Sequence, residues 1–505
     1  MAEMNIKQII DRLNAEFTGD TRKLVFWYDD NGEFVEDMQN VTLDNAKVYF
    51  LQPDNQFATK LFLERQDTTT NYLVYAPFPK PDVRDNHLED TMLYSKRFFA
   101  DRASLLSVDL GIDEKYKPII EKHIKFFASK ERTQRFYDLE IENFNEENII
   151  TGLLSAICRT RTCSFEEVIR VMLTDSTLED NKFLLETEKY GLLGDFWKLC
   201  EQHFGYADVK PTLEKLVVTM FVTYTAKYVP SELPKPWKAF SSYKAGNIIA
   251  FMDNLMNNIL YRSRYDELSA HVAAGLNAQA VFSDYPPEDL VNCDTFAVID
   301  QILIKWLVER LMAEDTGAKL DELTIPQLCE KRSKMHFGEK AGSRYQMLSS
   351  AYQMIQAGNY HCPDSFKDIL RQYQETDSGL DYEYRRFYTA YDQIEDTTAF
   401  EPLRDLVENI YTNEYLETLL PKWNSAMQEP DAFTQLPLQR DFYARNIKNA
   451  KERTVVIISD AMRYEVGKEL FRRMQDDPKC SAKLEVQLSV LCLLYTSPSP
   501  RDTER

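Results

Sequence analysis

No stretch of this chain approaches the ~18–20 consecutive apolar residues that a membrane-crossing helix requires. The N-terminal run Met1-Ala-Glu-Met-Asn-Ile6 lacks the basic-then-apolar pattern of an export signal, and the cytoplasm is the expected compartment. Glycine-rich phosphate loops are missing too: there is no Walker sequence and no G-x-G-x-x-G, and G-x-S-x-G is also absent. These absences exclude the P-loop, dinucleotide and serine-hydrolase readings. The 6 histidines include no H-E-x-x-H pair, which removes the zincin reading. Low-complexity tracts and a fixed repeat period are likewise missing, so neither a disordered chain nor a regular solenoid is expected. The 8 cysteines are scattered singly, as reduced, buried thiols would be. Basic residues are outnumbered 60 to 81, leaving a formal net charge of −21. A field of that sign opposes general adhesion to nucleic acid or anionic membrane. It does not oppose a local cleft whose positive charge comes from a metal.

What the chain does have is apolar material. Of 505 residues 44% are hydrophobic and 12% aromatic, enough for more than one core, and the length suggests roughly two to four domains. Residues 1–112 read as a small α/β domain. Short strands are predicted at Lys23–Tyr28, Lys47–Leu51, Lys60–Leu63 and Tyr72–Tyr75, with helices over Ile6–Phe17 and Leu88–Ala100. Uninterrupted apolar strands of this kind suit a sheet covered on both faces.

Residues 113–450 read as a large, irregular, all-helical domain. Leu213, Leu216, Val217, Met220, Phe221 and Tyr224 recur at helical spacing, as do Phe296, Ile299, Leu303, Trp306 and Leu307. Ser164-Phe-Glu-Glu167 and Ser365-Phe-Lys-Asp368 look like capping boxes. Breaks are expected at 230–236, 285–287 and 429–437. A new domain then opens over 451–491. Glu452–Asp460 is a β-branched apolar strand ending in an acid, and an amphipathic helix follows with Val466, Leu470, Phe471 and Met474 on one stripe. A second strand is predicted from Lys483 to Leu491.

Open α/β sheets place their chemistry at the carboxyl ends of strands, where Asp460 stands. A carboxylate there can ligate a divalent metal that polarises a phosphoryl oxygen, or it can simply cap the next helix. From the residues alone both readings stay open. Asp29-Asp30 also follow a strand and could hold Mg²⁺ as in a receiver-like signalling domain. Asp-Asp-Asn-Gly32 is an ordinary turn sequence, however, and the turn is the preferred reading. Cys158, Cys163, Cys200 and His203 do not have zinc-site spacing and read as structural residues. Arg159, Arg161 and Arg170 read as a solvated helix face rather than a phosphate site.

The string Val455-Val-Ile-Ile-Ser-Asp-Ala-Met-Arg-Tyr-Glu465 resembles the start of the catalytic domain of the PglZ family, which serves in BREX phage defence. Upstream text agrees in order: Leu24-Val-Phe-Trp-Tyr-Asp29, Asn55-Gln-Phe57, Tyr72-Leu-Val-Tyr-Ala-Pro-Phe-Pro79, Tyr94-Ser95 and Ala100-Asp-Arg102. The resemblance is to the type-A form and covers residues 1–491. It implies an alkaline-phosphatase-like α/β fold for the domain opening at 451 and a two-metal, zinc-type phosphohydrolase chemistry. It further implies Asp460 as a metal ligand, other BREX proteins as partners, and DNA as a candidate substrate of the full-length enzyme. In the family a Thr nucleophile and further Asp and His ligands follow, and the chain departs from that pattern. Residues 492–505 instead resemble a translated sequencing adapter, so the chain is expected to be a truncated and inactive fragment with an artefactual tail. Thr496 falls close to the nucleophile's place, but its flanks do not match, and Ser-Pro-Ser-Pro favours extended or turn structure. No catalytic residue is therefore assigned. The alternative is a non-catalytic helical scaffold within a defence complex.

Overall fold

The computed structural model describes residues 2–100, 102–175, 177–429, 436–451, 453–459 and 462–488. The chain divides into two units, one of residues 1–224 and 235–268, the other of 225–234 and 269–505. The Pro-rich break expected at 230–236 lies at one of the crossings between them. Helices dominate both, and the first unit adds a small parallel sheet.

That sheet holds β1 (Leu24–Tyr28), β2 (Lys47–Phe50), β3 (Tyr72–Ala76) and β4 (Lys96–Arg97) in the order β2-β3-β1-β4, all parallel. Alternation along β1 and β3 divides the apolar side chains between two cores. Val25, Trp27, Leu73 and Tyr75 face Ile9 and Leu13 of the first helix, Ala2–Glu16, and Phe17 just after it. Phe26, Tyr72, Val74 and Ala76 face Leu51, Leu63, Leu88 and Met92. Both faces are covered, which is why the strands read as continuous apolar runs. Trp27 is 1% exposed, with Phe34, Tyr75 and Phe98 packed at ring-centroid distances of 5.0–5.2 Å.

Two local expectations in this unit are corrected. Lys60–Leu63 is no strand: Gln56–Leu61 is helical and runs on through a π-turn, Phe62–Gln66. Its buried residues Gln56, Thr59 and Leu63 recur at helical spacing, a signal that a four-residue window hides. The helix expected over Leu88–Ala100 is confined to Glu89–Leu93, because Lys96–Arg97 pairs as an edge strand with β1. The predicted stripe Leu213, Leu216, Val217, Met220, Phe221 and Tyr224 is wholly buried.

In the second unit Phe296, Ile299, Leu303 and Leu307 are buried, while Trp306 is only half-buried. Of the two expected capping boxes the serine half forms: in the first unit Ser164 Oγ accepts from Glu167 N at 3.4 Å, and in the second Ser365 Oγ accepts from Asp368 N at 3.2 Å. A reciprocal capping box stands at Thr324 and Gln327. The interior of this unit is braced by a buried ion pair. Arg332 grips Asp300 with Nε at 3.0 Å and Nη2 at 2.8 Å, its Nη1 donates to the Cys293 carbonyl at 2.7 Å, and the Tyr345 hydroxyl donates to the same Asp300. Asp294 accepts from the backbone N–H groups of His336 and Phe337 at the start of the His336–Lys340 helix. Gly338 is needed there, since a Cβ would stand 1.8 Å from the Arg332 carbonyl oxygen. No helix among the described residues is long and apolar enough to cross a membrane.

Candidate functional site

Asp460, the residue expected to ligate a metal, lies outside the described residues, as does Thr496. Residues 453–459 before Asp460 and those from 462 after it are described, and they depart from the expected β–α unit. Residues 453–459 form no ladder, and Val455, Ile457 and Ile458 are 73%, 87% and 80% exposed. An apolar β-branched run becomes a strand only where neighbouring strands accept its backbone groups. Among the described residues none flanks it. Of the expected second strand, Lys483–Leu491, residues 489–491 lie outside the described residues, and the described part holds a single parallel bridge at Leu488. There Gln439 N donates to the Leu488 carbonyl at 2.8 Å and Leu488 N to the Pro437 carbonyl at 2.9 Å, while the Leu488 side chain packs on the core around Phe366 and Tyr415.

The helix after Asp460 is present, spanning Tyr464–Asp476. It docks through Glu465 on the Ser378–Tyr391 helix. Glu465 is buried and receives Arg385 Nε at 2.5 Å, and Lys468 Nζ donates to the Gln374 carbonyl at 2.7 Å. A pocket of about 350 Å³ lies along this seam, with Ser378, Tyr382, Lys468, Phe471 and Arg472 in its wall. Glu469 is forked by Arg472 and Arg473, whose hydrogen bonds hold its carboxyl down at about 2. The predicted apolar stripe is split: Val466 and Leu470 are 44% and 47% exposed, whereas Phe471 and Met474 are half-buried, with Phe471 in the pocket wall.

Behind Arg385 stands a tyrosine–carboxylate cluster. Asp381 accepts from the Tyr373 and Tyr411 hydroxyls at 2.8 Å each, and burial raises its pKa against the pull of those two hydrogen bonds. Glu408 accepts from Tyr384 and Tyr388 at 2.7 Å each, and the Tyr384 ring stacks on Tyr411 at 3.7 Å. Burial is the leading cause that raises the phenols, with Tyr384 pushed to about 12. The phenols hold structure by hydrogen bonding and stay protonated at neutral pH. The cluster had no sequence signal beyond an abundance of tyrosine, because its members come from two separate segments, 373–388 and 408–411.

The weaker sequence candidates have structural employment. Asp29 is buried and both its carboxylate oxygens accept backbone N–H groups, from Glu33 at 2.9 Å and Phe34 at 2.8 Å. Tyr75 also donates to it, Gly32 closes the turn at φ +66°, and Asp30 is exposed. This is the turn reading rather than an acidic pocket. Cys158 is buried, and Cys163 donates to the Asn148 carbonyl with burial pushing its thiol up to about 11. Cys200 is buried with its thiol raised well above the ordinary range, and His203 contacts Glu147 at 2.9 Å. Arg159 and Arg161 are exposed, and Arg170 lies over the Tyr261 ring at 5.5 Å. Among the described residues no three His, Cys, Asp or Glu side chains converge as a metal-binding group. The described residues alone therefore do not compose a metal site.

The BREX system PglZ alkaline phosphatase-like domain matches residues 441–497, the segment that contains Asp460 and its helix. Over its whole length the chain is similar to two curated proteins. It is 33% identical over 506 residues to the alkaline phosphatase-like protein PglZ of Bacillus cereus (strain H3081.97). It is 26% identical over 522 residues to the alkaline phosphatase-like protein BrxZ of Escherichia coli O9:H4 (strain HS). Each alignment takes in 97% of this chain but only 59% of the relative's own length. No solved structure matches. The domain match at 441–497 and the two similarities over 97% of the chain agree: the chain is similar to the PglZ-type, alkaline phosphatase-like proteins of BREX systems and spans about three-fifths of the length of the curated relatives it matches.

Proposed function

We propose that this chain supplies the N-terminal α/β domain, the helical body and the opening segment of a metal-dependent phosphohydrolase acting in phage defence. Asp460 contributes one ligand of a divalent, zinc-type metal site in that reading. The observation that carries it is the match of a BREX system PglZ alkaline phosphatase-like domain to residues 441–497, a span that includes the Val455–Glu465 motif. The outward apolar surface supports it: Val455, Ile457, Ile458, Val466 and Leu470 are where further strands of an α/β sheet would cover the segment. One carboxylate does not hold a catalytic zinc, which takes three protein ligands and an open position. The remaining ligands would come from sequence of the kind the relatives carry in the rest of their length. When bound, such a metal polarises a phosphoryl oxygen and lowers the pKa of its water. Arg385 and Glu465 fix the helix that follows Asp460 in sequence.

The substrate in this reading is a phosphate ester, with phosphodiesters of DNA the leading class, in the cytoplasm beside other BREX proteins. Resequencing the source DNA across the codons for residues 480–505 and beyond tests it directly. A frame that runs on into a Thr and later Asp and His codons supports the phosphohydrolase and makes residues 492–505 an artefact. A genuine stop after Arg505 overturns it for this chain. The second reading, a non-catalytic scaffold for defence proteins, is favoured by one observation. The first unit exposes Phe57, Leu61, Leu93, Tyr94 and Phe99, with Tyr94 at 93% and Phe99 at 76%.

A further inference from the structure

The Tyr464–Asp476 helix leaves Val466 and Leu470 of its apolar stripe exposed and docks through Glu465 and Lys468, with Phe471 beside them. Hydrophobic burial alone would have turned Val466 and Leu470 toward the helical body. Instead Glu465 is driven to 3% exposure against Arg385, and Lys468 reaches the backbone carbonyl of Gln374. A buried carboxylate is costly unless a partner is placed for it, so this arrangement specifies a register rather than maximising adhesion. The placing is elaborate. Asp381, one helical turn before Arg385, accepts from Tyr373 and Tyr411. Both tyrosines lie in π-helical turns, Tyr373–Asp377 and Ile410–Leu416, whose extra residue re-aims the side chains of an otherwise α-helical element. The Tyr373 ring then meets the Tyr464 ring at 5.8 Å.

We propose that Arg385, backed by Asp381, Tyr373 and Tyr411, is a receptor in the helical body for Tyr464 and Glu465, and that it positions the first helix of the PglZ-like segment. Arg385 is a positioning residue: it touches no reacting atom and acts through the helix that starts four residues after Asp460. The positioning of chemistry rests on the reading of Asp460 as a ligand, whereas the docking itself does not. By this docking the helical body is coupled to the phosphohydrolase segment, while Val466 and Leu470 stay exposed for the sheet.

A helix of 13 residues is marginal by itself in water, so its protection from hydrogen exchange reports its docking. Amide exchange on the 505-residue chain is therefore the test. Arg385→Gln is expected to speed exchange across 464–476 by about tenfold or more, with the Ala297–Met312 helix unchanged as evidence that the body is folded. Glu465→Gln, which alters the segment rather than the body, is expected to do the same. The double variant should exchange no faster than either single, and Arg385→Lys should recover part of the protection. Unchanged exchange over 464–476 in both single variants overturns the proposal. In a chain extended to the length of the relatives, Arg385→Gln is expected to lower kcat for diester hydrolysis with KM held. If exchange rises and kcat does not fall, the positioning claim is overturned and the docking stands. If the unaltered extended chain shows no hydrolysis, the reading of Asp460 fails instead, and the exchange result still decides the docking.

Discussion

The chain writes the same β–α grammar twice, and the two copies end differently. Leu24-Val-Phe-Trp-Tyr28 is a central strand with β3 on one side and β4 on the other, its apolar side chains divided between two covered faces. Val455-Val-Ile-Ile458 is as apolar and more β-branched, but it has no ladder partner among the described residues and its side chains stand in water. Intrinsic β-propensity does not separate them. The difference is whether other strands are present to satisfy the backbone and other layers to cover the side chains. A strand is thus a property of a neighbourhood.

The largest expected effects lie where the neighbourhood is complete. Asp300→Ala should cost about 3–5 kcal/mol, because it leaves Arg332 buried with its main partner removed and Tyr345 without its acceptor. Trp27→Ala should cost about 3–5 kcal/mol by emptying the space among Phe34, Tyr75 and Phe98. Urea unfolding followed by hydrogen exchange, read separately in each unit, checks both. A loss under 1 kcal/mol at Trp27 would erase the contrast between the two runs.

Ile457→Lys sharpens the contrast from the other side. In this chain it should change stability by no more than about 0.5 kcal/mol and reduce self-association. In a chain extended to the relatives' length it should destabilise the added domain strongly. Equal, small effects in both would mean that no sheet ever covers the run. The smallest expected effect is pH dependence at Glu469. Its folded pKa, held near 2 by Arg472 and Arg473, lies below the ordinary 4.5, so its contribution is present above 4.5 and lost as pH falls from about 4.5 towards 2. Because both arginines are largely exposed, that contribution is a few tenths of a kcal/mol. Glu469→Gln should lower neutral-pH stability by that amount, leave stability near pH 2 nearly unchanged, and so flatten the acid limb of a stability titration.

Much of the fold was legible because it is written in local periodicity. The runs around Trp27 and Leu73, the stripe from Leu213 to Tyr224 and the caps at Ser164 and Ser365 need only a window of a few residues. The helix at Gln56–Leu61 was misread because its tail, Lys-Leu-Phe-Leu, imitates a strand when taken alone. Of the candidate site, the motif around Asp460 was legible through family resemblance, and the domain match falls on it. The docking of Glu465 on Arg385 was not, since 80 residues separate them and no local pattern marks either. The same holds for Asp300 and Arg332, 32 residues apart, whose pairing only tertiary packing creates.

The most direct test of the central claim is hydrolysis of bis-p-nitrophenyl phosphate by a chain extended to the relatives' length, measured with added zinc, with chelator, and with Asp460→Asn. The expected result is hydrolysis that the chelator abolishes and zinc restores, with Asp460→Asn lower by about a hundredfold or more. Asp460→Asn with undiminished, metal-dependent activity would contradict the assignment of Asp460 as a ligand.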